Sequence, residues 1–243
     1  MLPVLFRWRG RAVPSYPAML YLGVVFGLVA GDVAANASGL NGARVYIASL
    51  LLLPVALVGA RLASVIGNWS EWRRVPGRIW RRSEGGQAMY GGLVAVPASL
   101  PLLAVLGVPF WAFWDVATFT MLTGMVFARA GCLLTGCCAG RPTESRLGLV
   151  LPNHAGVWTR RVPTQLFEAG LGAALLAPAA LLMASNAPAG SAFSGSLAVY
   201  AVARLFLQPL REHQGRVAGI PALRAASAAL LGLALLSIVP RMV

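Results

Sequence analysis

ARAGCLLTGCCAGRPT, residues 128–143, follows a long apolar run and brings together two arginines, three cysteines and three glycines. Arg129 decides how the chain is read. An arginine at the centre of a membrane helix costs roughly 2.5–3.5 kcal/mol, so chains keep one where it meets a partner or a substrate anion. Gly131, Gly136 and Gly140 permit close backbone approach and unusual dihedrals, and Pro142 ends any helix. The stretch therefore reads as a membrane helix running into a tight, folded-back segment.

Composition supports that setting. The chain has 243 residues, 58% of them hydrophobic, and only seven are acidic; its mean hydropathy is +0.73. Such a chain is too apolar for a soluble domain of its length. Runs of spanning length fall near 16–35, 45–65, 87–107, 110–128, 165–184, 194–211 and 219–239. They predict an all-α integral membrane protein, a bundle of about seven transmembrane helices. It forms one transmembrane domain over 1–243, with a small extramembrane segment at about 141–162. The formal charge of +13 comes entirely from arginine. Nucleic acid is not the partner this implies: the arginines lie in short loops between apolar runs, where they serve topology and anionic headgroups.

The stretch at 128–143 resembles the signature of the prolipoprotein diacylglyceryl transferases, Gly-Arg-x-Gly-Asn-x-x-Asn-Gly-Glu followed by Gly-Arg. Arg129, Gly131, Gly136, Gly140 and Arg141 match in register, while Ala128, Cys132, Thr135 and Cys137 replace the family's Gly, Asn, Asn and Glu. A second block, RVPTQLFEAG at 161–170, resembles the family's Arg-His-Pro-Ser-Gln-Leu-Tyr-Glu through Arg161, Pro163, Gln165, Leu166 and Glu168, with Val162 in place of the histidine. Arg204 and Arg211 match the family's last motif, and Gln208 replaces its glutamate. Tyr90, with Gly91 and Gly92, stands where the family carries His-Gly-Gly. The resemblance runs from Tyr16 to Arg211.

Each of these residues also has a plainer reading. Tyr16, beside Pro17, corresponds to a functionally important tyrosine of the family, with Tyr21 as its competitor; it reads equally as an interfacial aromatic anchor. Arg61 is a candidate headgroup ligand or a snorkelling arginine at a helix end. The glycines at 85–92 allow tight helix packing whatever the activity. Asp115 reads as a helix cap or an arginine partner. Tryptophans and arginines interleave over 69–84 as in an interfacial loop. RWRGR at 7–11 followed by an apolar run has the look of a signal peptide, but retention is the preferred reading.

The resemblance implies transfer of a diacylglyceryl group from phosphatidylglycerol to the lipobox cysteine of a secretory lipoprotein precursor, at the plasma (inner) membrane of a bacterium. The leaving phosphate needs arginines, whose planar forks bind it bidentately. Arg129 and Arg204 are the candidates, with Arg141 and Arg161 at the mouth. The acceptor thiol must lose its proton. At the family's acid–base positions stand Tyr90, Cys137 and Gln208, which leaves Glu168 as a base or as an ion-pair partner of Arg161. Catalytic roles therefore fall to Arg129, Arg204, Tyr90 and Glu168. Binding roles fall to Tyr16, Arg61, Gly91, Gly92, Gly131, Gly136, Arg141, Arg161, Gln165, Gln208 and Arg211.

No cofactor or metal is expected. A zinc or redox site of Cys132, Cys137 and Cys138 with His154 ranks low because the paired spacing is missing. Two other functions stay open: the same donor with another acceptor, and a non-catalytic lipid-binding protein. Topology is in tension as well. The arginine-rich loops favour a cytoplasmic signature, whereas the resemblance implies an outward one, which is preferred because substrate roles account for several of those arginines.

Overall fold

The computed structural model describes residues 4–67, 89–153, 156–185 and 187–212, the short segments 216–217 and 220–221, and residue 232. The chain opens with a hairpin, β1 (Val4–Trp8) and β2 (Arg11–Pro14), whose tip places Arg9 and Gly10 at φ 47° and 80°. Two successive left-handed residues give the loop the twist that a tight hairpin needs. Helices α1 (Ser15–Ala37) and α2 (Gly42–Gly67) follow. A 3-10 segment, Met89–Val94, leads into the short α3 (Ala95–Leu106), which ends on Gly107 at φ 63°. Next come α4 (Phe110–Thr135), a second hairpin of β3 (Leu149–Pro152) and β4 (Trp158–Arg161), and then α5 (Thr164–Ala184) and α6 (Ser191–Leu207). A 3-10 turn at Gln208–Leu210 and a two-residue ribbon, β5 (Arg216–Val217) with β6 (Ile220–Pro221), close the described chain.

Five helices among the described residues are long and apolar enough to cross a membrane: Ser15–Ala37, Gly42–Ala63, Phe110–Thr135, Thr164–Ala184 and Ser191–Leu210. The run expected to span 87–107 is instead a shorter apolar helix, Gly92–Leu106. Gly91 and Gly92 weaken helical structure at its start, and the Val96 backbone is restricted by Pro97. The run at 219–239 lies almost wholly outside the described residues, as does the loop at 69–84. A purely α-helical chain is also corrected, because the connections fold into three short antiparallel ribbons.

Helix α4 is central. It packs along α1 more extensively than any other helix pair does, and also against α3, α5 and α6. The α1 contact rests on a stripe of small residues. A Cβ built at Gly27 would lie 2.8 Å from the Thr120 carbonyl oxygen, and one at Gly23 would lie 3.0 Å from Phe127 Cβ. Gly31 meets Thr120 in the same way, so glycine at every fourth position lets two backbones touch where no hydrophobic driving force operates. One core cluster gathers Ala35, Ala48, Leu52, Leu103, Phe113 and Phe193 around the start of α4; a smaller one joins Leu122, Met125, Leu175 and Tyr200 nearer its end. Val25, Val33, Val58, Leu62, Val105, Leu181 and Phe206 point outward, as an apolar solvent requires.

Asp115 carries out its capping role across the bundle. Its two carboxylate oxygens accept the backbone N–H groups of Gly190 (2.5 Å) and Phe193 (2.9 Å), at the start of α6. A carboxylate here satisfies orphan donors and complements the positive end of the helix dipole.

Candidate functional site

Helix α4 runs past Arg129 to Thr135, so this arginine lies well inside the helix and the reversal begins only at Gly136, at φ 75°. Cys138 follows at φ 58°, a conformation rare for a residue with a side chain. The first two residues of α5 pin this turn. The Thr164 hydroxyl donates to the Cys138 carbonyl (3.0 Å), and the Gln165 amide Nε2 donates to the Cys137 carbonyl (2.9 Å). Gly140 pairs with Arg211 as an isolated bridge, and a Cβ there would collide with the backbone carbonyl of Val162. Glycine is required at that close approach.

The turn brings three helices together on one carboxylate. Glu168, on α5, is fully buried. Its Oε2 lies 2.7 Å from Arg129 Nη2, and its Oε1 accepts from Arg204 Nη1 at 2.8 Å and from Arg211 Nη2. Arg204 is 4% exposed, while Arg129 and Arg211 keep 11% of their side-chain surface open. Among the described residues, three guanidiniums meet one carboxylate, a surplus of two positive charges in a largely dry site. Such a surplus is tolerated when an anion comes to share it. Arg211 Nε and Gln165 Oε1 are buried without a hydrogen-bond partner among the described residues.

An apolar cavity of about 370 Å³ lies between the helices. It is lined by Leu20, Val24, Leu53, Leu93, Met121 and Tyr200 among others, and it reaches Ala128, the residue before Arg129. None of the three arginines lines it, but Ala128 and Tyr200, which do, precede Arg129 by one residue and Arg204 by one helical turn, so α4 and α6 each carry both a wall of the cavity and an arginine of the cluster.

The other sequence-derived candidates distribute as follows. Tyr16 packs on the signature, its ring carbon Cδ2 3.3 Å from where a Gly131 Cβ would sit, whereas Tyr21 is 78% exposed on the outer face. Tyr90 and Gly91 belong to the 3-10 segment packed on α2, and Gly92 faces Ala56. Arg61 is half-buried on α2 and is not one of the arginines paired with Glu168. Arg141 is exposed, and its backbone N–H donates to the Leu210 carbonyl (2.8 Å). Arg161, expected at the mouth or on Glu168, is instead buried. It pairs with Glu212 at 3.0 Å and donates to the Gly140 carbonyl at 3.3 Å. Gln208 is buried in the 3-10 turn, where the helix of Arg204 has already ended, so Arg204 and Arg211 reach Glu168 through that turn and not along one helical face.

Glu212 and Tyr200 went unmarked in the sequence. Glu212 was legible as the carboxylate next to a motif arginine, and Tyr200 as the residue one turn before Arg204 on the same face. The three cysteines lie close together: Cys132 is buried, Cys137 half-buried and Cys138 exposed.

Comparison with known proteins gives these residues a context. Residues 3–240 match the family model described as prolipoprotein diacylglyceryl transferase. A Clostridium perfringens protein named phosphatidylglycerol–prolipoprotein diacylglyceryl transferase 2 is 25% identical over 208 residues, covering 84% of this chain and 80% of its own. Proteins named phosphatidylglycerol–prolipoprotein diacylglyceryl transferase from Lactiplantibacillus plantarum and Halalkalibacterium halodurans are 29% and 28% identical. The first alignment covers 86% of this chain and 78% of the relative; the second covers 81% and 71%.

Proposed function

The chain belongs to the prolipoprotein diacylglyceryl transferase family, and from that premise we propose that the arginines around Glu168 hold the phosphate of phosphatidylglycerol while its diacylglyceryl group passes to a cysteine thiol. The protein is a phosphatidylglycerol–prolipoprotein diacylglyceryl transferase. One observation supports the site: among the described residues, a surplus of two positive charges carried on helices that also wall an apolar cavity.

The chemistry follows from charge. The acceptor sulfur attacks the glycerol carbon of the diacylglyceryl group, a C–S bond forms, and the C–O bond to phosphate breaks. Glycerol phosphate departs with the bonding electrons. The donor phosphodiester carries one negative charge and the departing monoester carries two, so the demand for positive charge doubles along the reaction. A cluster with two surplus charges complements the product-like anion better than the bound lipid, which is the condition for lowering the barrier. Arg129 and Arg211, partly open, touch the phosphate. Arg204, behind them, adds charge without being displaced by water.

Glu168 is the anchor that orders the guanidiniums. Oε1 accepts from two guanidiniums, Oε2 is ion-paired with Arg129 without a hydrogen bond, and the carboxylate is sealed from solvent; in this reading it positions the anion site and leaves the acceptor's proton to others. The same positive field draws the thiol toward thiolate, and the proton passes to solvent. Tyr90 belongs to the 3-10 segment that supplies Leu93 to the cavity wall and takes the position of the family's histidine. Tyr16, Gly131 and Gly136 shape the floor, Gln165, Gln208 and Gly140 the turn. Arg161 with Glu212 braces the entrance, and Arg61, Gly91, Gly92 and Arg141 complete the headgroup side. The protein is a single transmembrane domain in the bacterial plasma membrane, its 141–162 segment outside the bilayer beside the precursor.

Acyl-labelled phosphatidylglycerol and a lipobox peptide, given to membranes containing the protein, test this. Label should move to the peptide, fail to move to a peptide with serine for the acceptor cysteine, and vanish with Arg129→Ala. If lipid binds but no label reaches the peptide, the assignment falls.

A further inference from the structure

The sulfur atoms of Cys132, Cys137 and Cys138 all lie within 4.8 Å of one another. Three thiolates on one metal ion at about 2.3 Å stand about 4 Å apart in a trigonal plane, so only a small inward closure separates the observed cluster from a complete coordination set. We propose that Cys132, Cys137 and Cys138 form a three-thiolate binding site for a soft, thiophilic cation of the copper(I) class.

The fold builds this cluster where sequence spacing alone does not. Cys132 sits on the last turns of α4, and the reversal at Gly136 swings Cys137 and Cys138 back over it. Cys138 is held in its rare left-handed conformation by Thr164 through its own carbonyl, while Gln165 holds the carbonyl of Cys137. Backbone strain fixed by neighbours in this way preorganises side chains. The Thr135 hydroxyl donates to Cys137 Sγ at 3.4 Å, the kind of outer contact that orients a ligand sulfur. Burial grades from Cys132 inward to Cys138 at the surface, which gives an ion a route in.

Donor type and charge select the ion. Soft thiolates prefer copper(I) or zinc. Structural zinc takes four protein ligands; among the described residues no carboxylate joins these three sulfurs, and both histidines, His154 and His213, lie outside the described residues. Three thiolates around copper(I) carry two negative charges, matching the surplus of two on the adjoining arginines, whereas zinc would leave only one. Binding releases the thiol protons to solvent.

The site is independent of the donor-lipid reading, but the two meet at Arg129 and Arg211. Arginines neutralised by a metal–thiolate anion are less able to hold a phosphate, so the loaded protein transfers diacylglyceryl more slowly.

The test titrates the reduced, detergent-solubilised full chain with copper(I) against a chromogenic copper(I) chelator, with zinc in a parallel arm. One copper(I) per chain, three sulfur scatterers in its X-ray absorption spectrum, and protection of Cys138 from maleimide are expected. Cys138→Ala, at the exposed position, should weaken binding at least tenfold and reduce the sulfur count to two. Cys132→Ser/Cys137→Ser/Cys138→Ser, verified by monodisperse elution and helical circular dichroism, should bind none. Binding unchanged in the triple variant, no binding by the native chain, or zinc held in preference to copper(I) would each overturn the proposal. Loss of transfer on copper addition, restored by chelator, tests the coupling separately; a failed transferase assignment would leave the metal stoichiometry intact.

Discussion

Replacing Glu168 by glutamine separates an anchor from a base. The substitution keeps the side-chain shape and removes the one negative charge that Arg129, Arg204 and Arg211 share. Three guanidiniums then face each other in a site where Glu168 has no solvent exposure and Arg204 only 4%. Breaking a buried ion pair from one side costs about 3–5 kcal/mol, because the orphaned charge stays desolvated. For a chain of this length that corresponds to a melting-temperature loss of roughly 6–20 °C. The assay is thermal unfolding of the purified protein in a neutral detergent, repeated with added phosphatidylglycerol. Glu168→Gln should melt within that lower range and gain more from the anionic lipid than the native protein does. Glu168→Gln/Arg204→Gln returns the local surplus to two charges and should recover at least half of the loss. A Glu168→Gln protein as stable as the native one in neutral detergent, whose residual transfer has lost the acid limb of its pH profile, would refute the anchor and restore the carboxylate as a base.

The remaining expectations concern neighbouring parts of the same frame. Arg129→Lys keeps the charge but loses the bidentate fork, so label transfer should fall about 10²-fold and yet exceed that of Arg129→Ala by tenfold or more. With Glu168 engaged and no carboxylate at Cys137 or Gln208, kcat/KM should rise about tenfold per pH unit until the acceptor thiol ionises near its reference pKa of about 8.5; a plateau below neutrality would reveal a resident base. Asp115→Ala removes two hydrogen bonds at the start of α6 and should cost about 1–3 kcal/mol in unfolding measurements while KM for lipid stays within twofold. Gly27→Val forces α1 away from the Thr120 backbone and should destabilise by more than Gly170→Val, since a Cβ at Gly170 meets nothing within 4 Å.

The spans at 16–35, 45–65, 165–184 and 194–211 were legible because apolar length alone specifies a membrane helix. The fourth was placed correctly at its start and ended too soon. Arg129 reads as a boundary when hydropathy is the only guide, but its pairing with Glu168 lets α4 continue to Thr135. That pairing is long-range, from α4 to α5 and α6, and no local pattern announces which carboxylate an arginine will choose. The same limit misplaced Arg161, whose partner Glu212 is far along the chain. The glycine stripe at 23, 27 and 31 went unread in the sequence: small residues one turn apart permit a close helix contact, but only the fold shows that α4 fills it. The cysteines meet the same limit. Their spacing argues against a site, and only the reversal between Gly136 and Cys138 brings the thiols together.

These placements bear on why a chain lacking several of the family's polar residues keeps a working site. The replaced positions, Cys132, Thr135, Cys137 and Gln208, are neutral or weakly ionised where the family has amides and carboxylates, while the arginines and Glu168 remain. Removing carboxylates from around an arginine cluster raises its net positive charge. A more positive site holds a dianionic leaving group more tightly and favours an incoming thiolate, so electrostatics offsets part of what a lost proton acceptor would have contributed. The cost is a fold that must carry buried charge in excess of its partners, and α4, α5, α6 and the turn after it meet that cost by converging on Glu168.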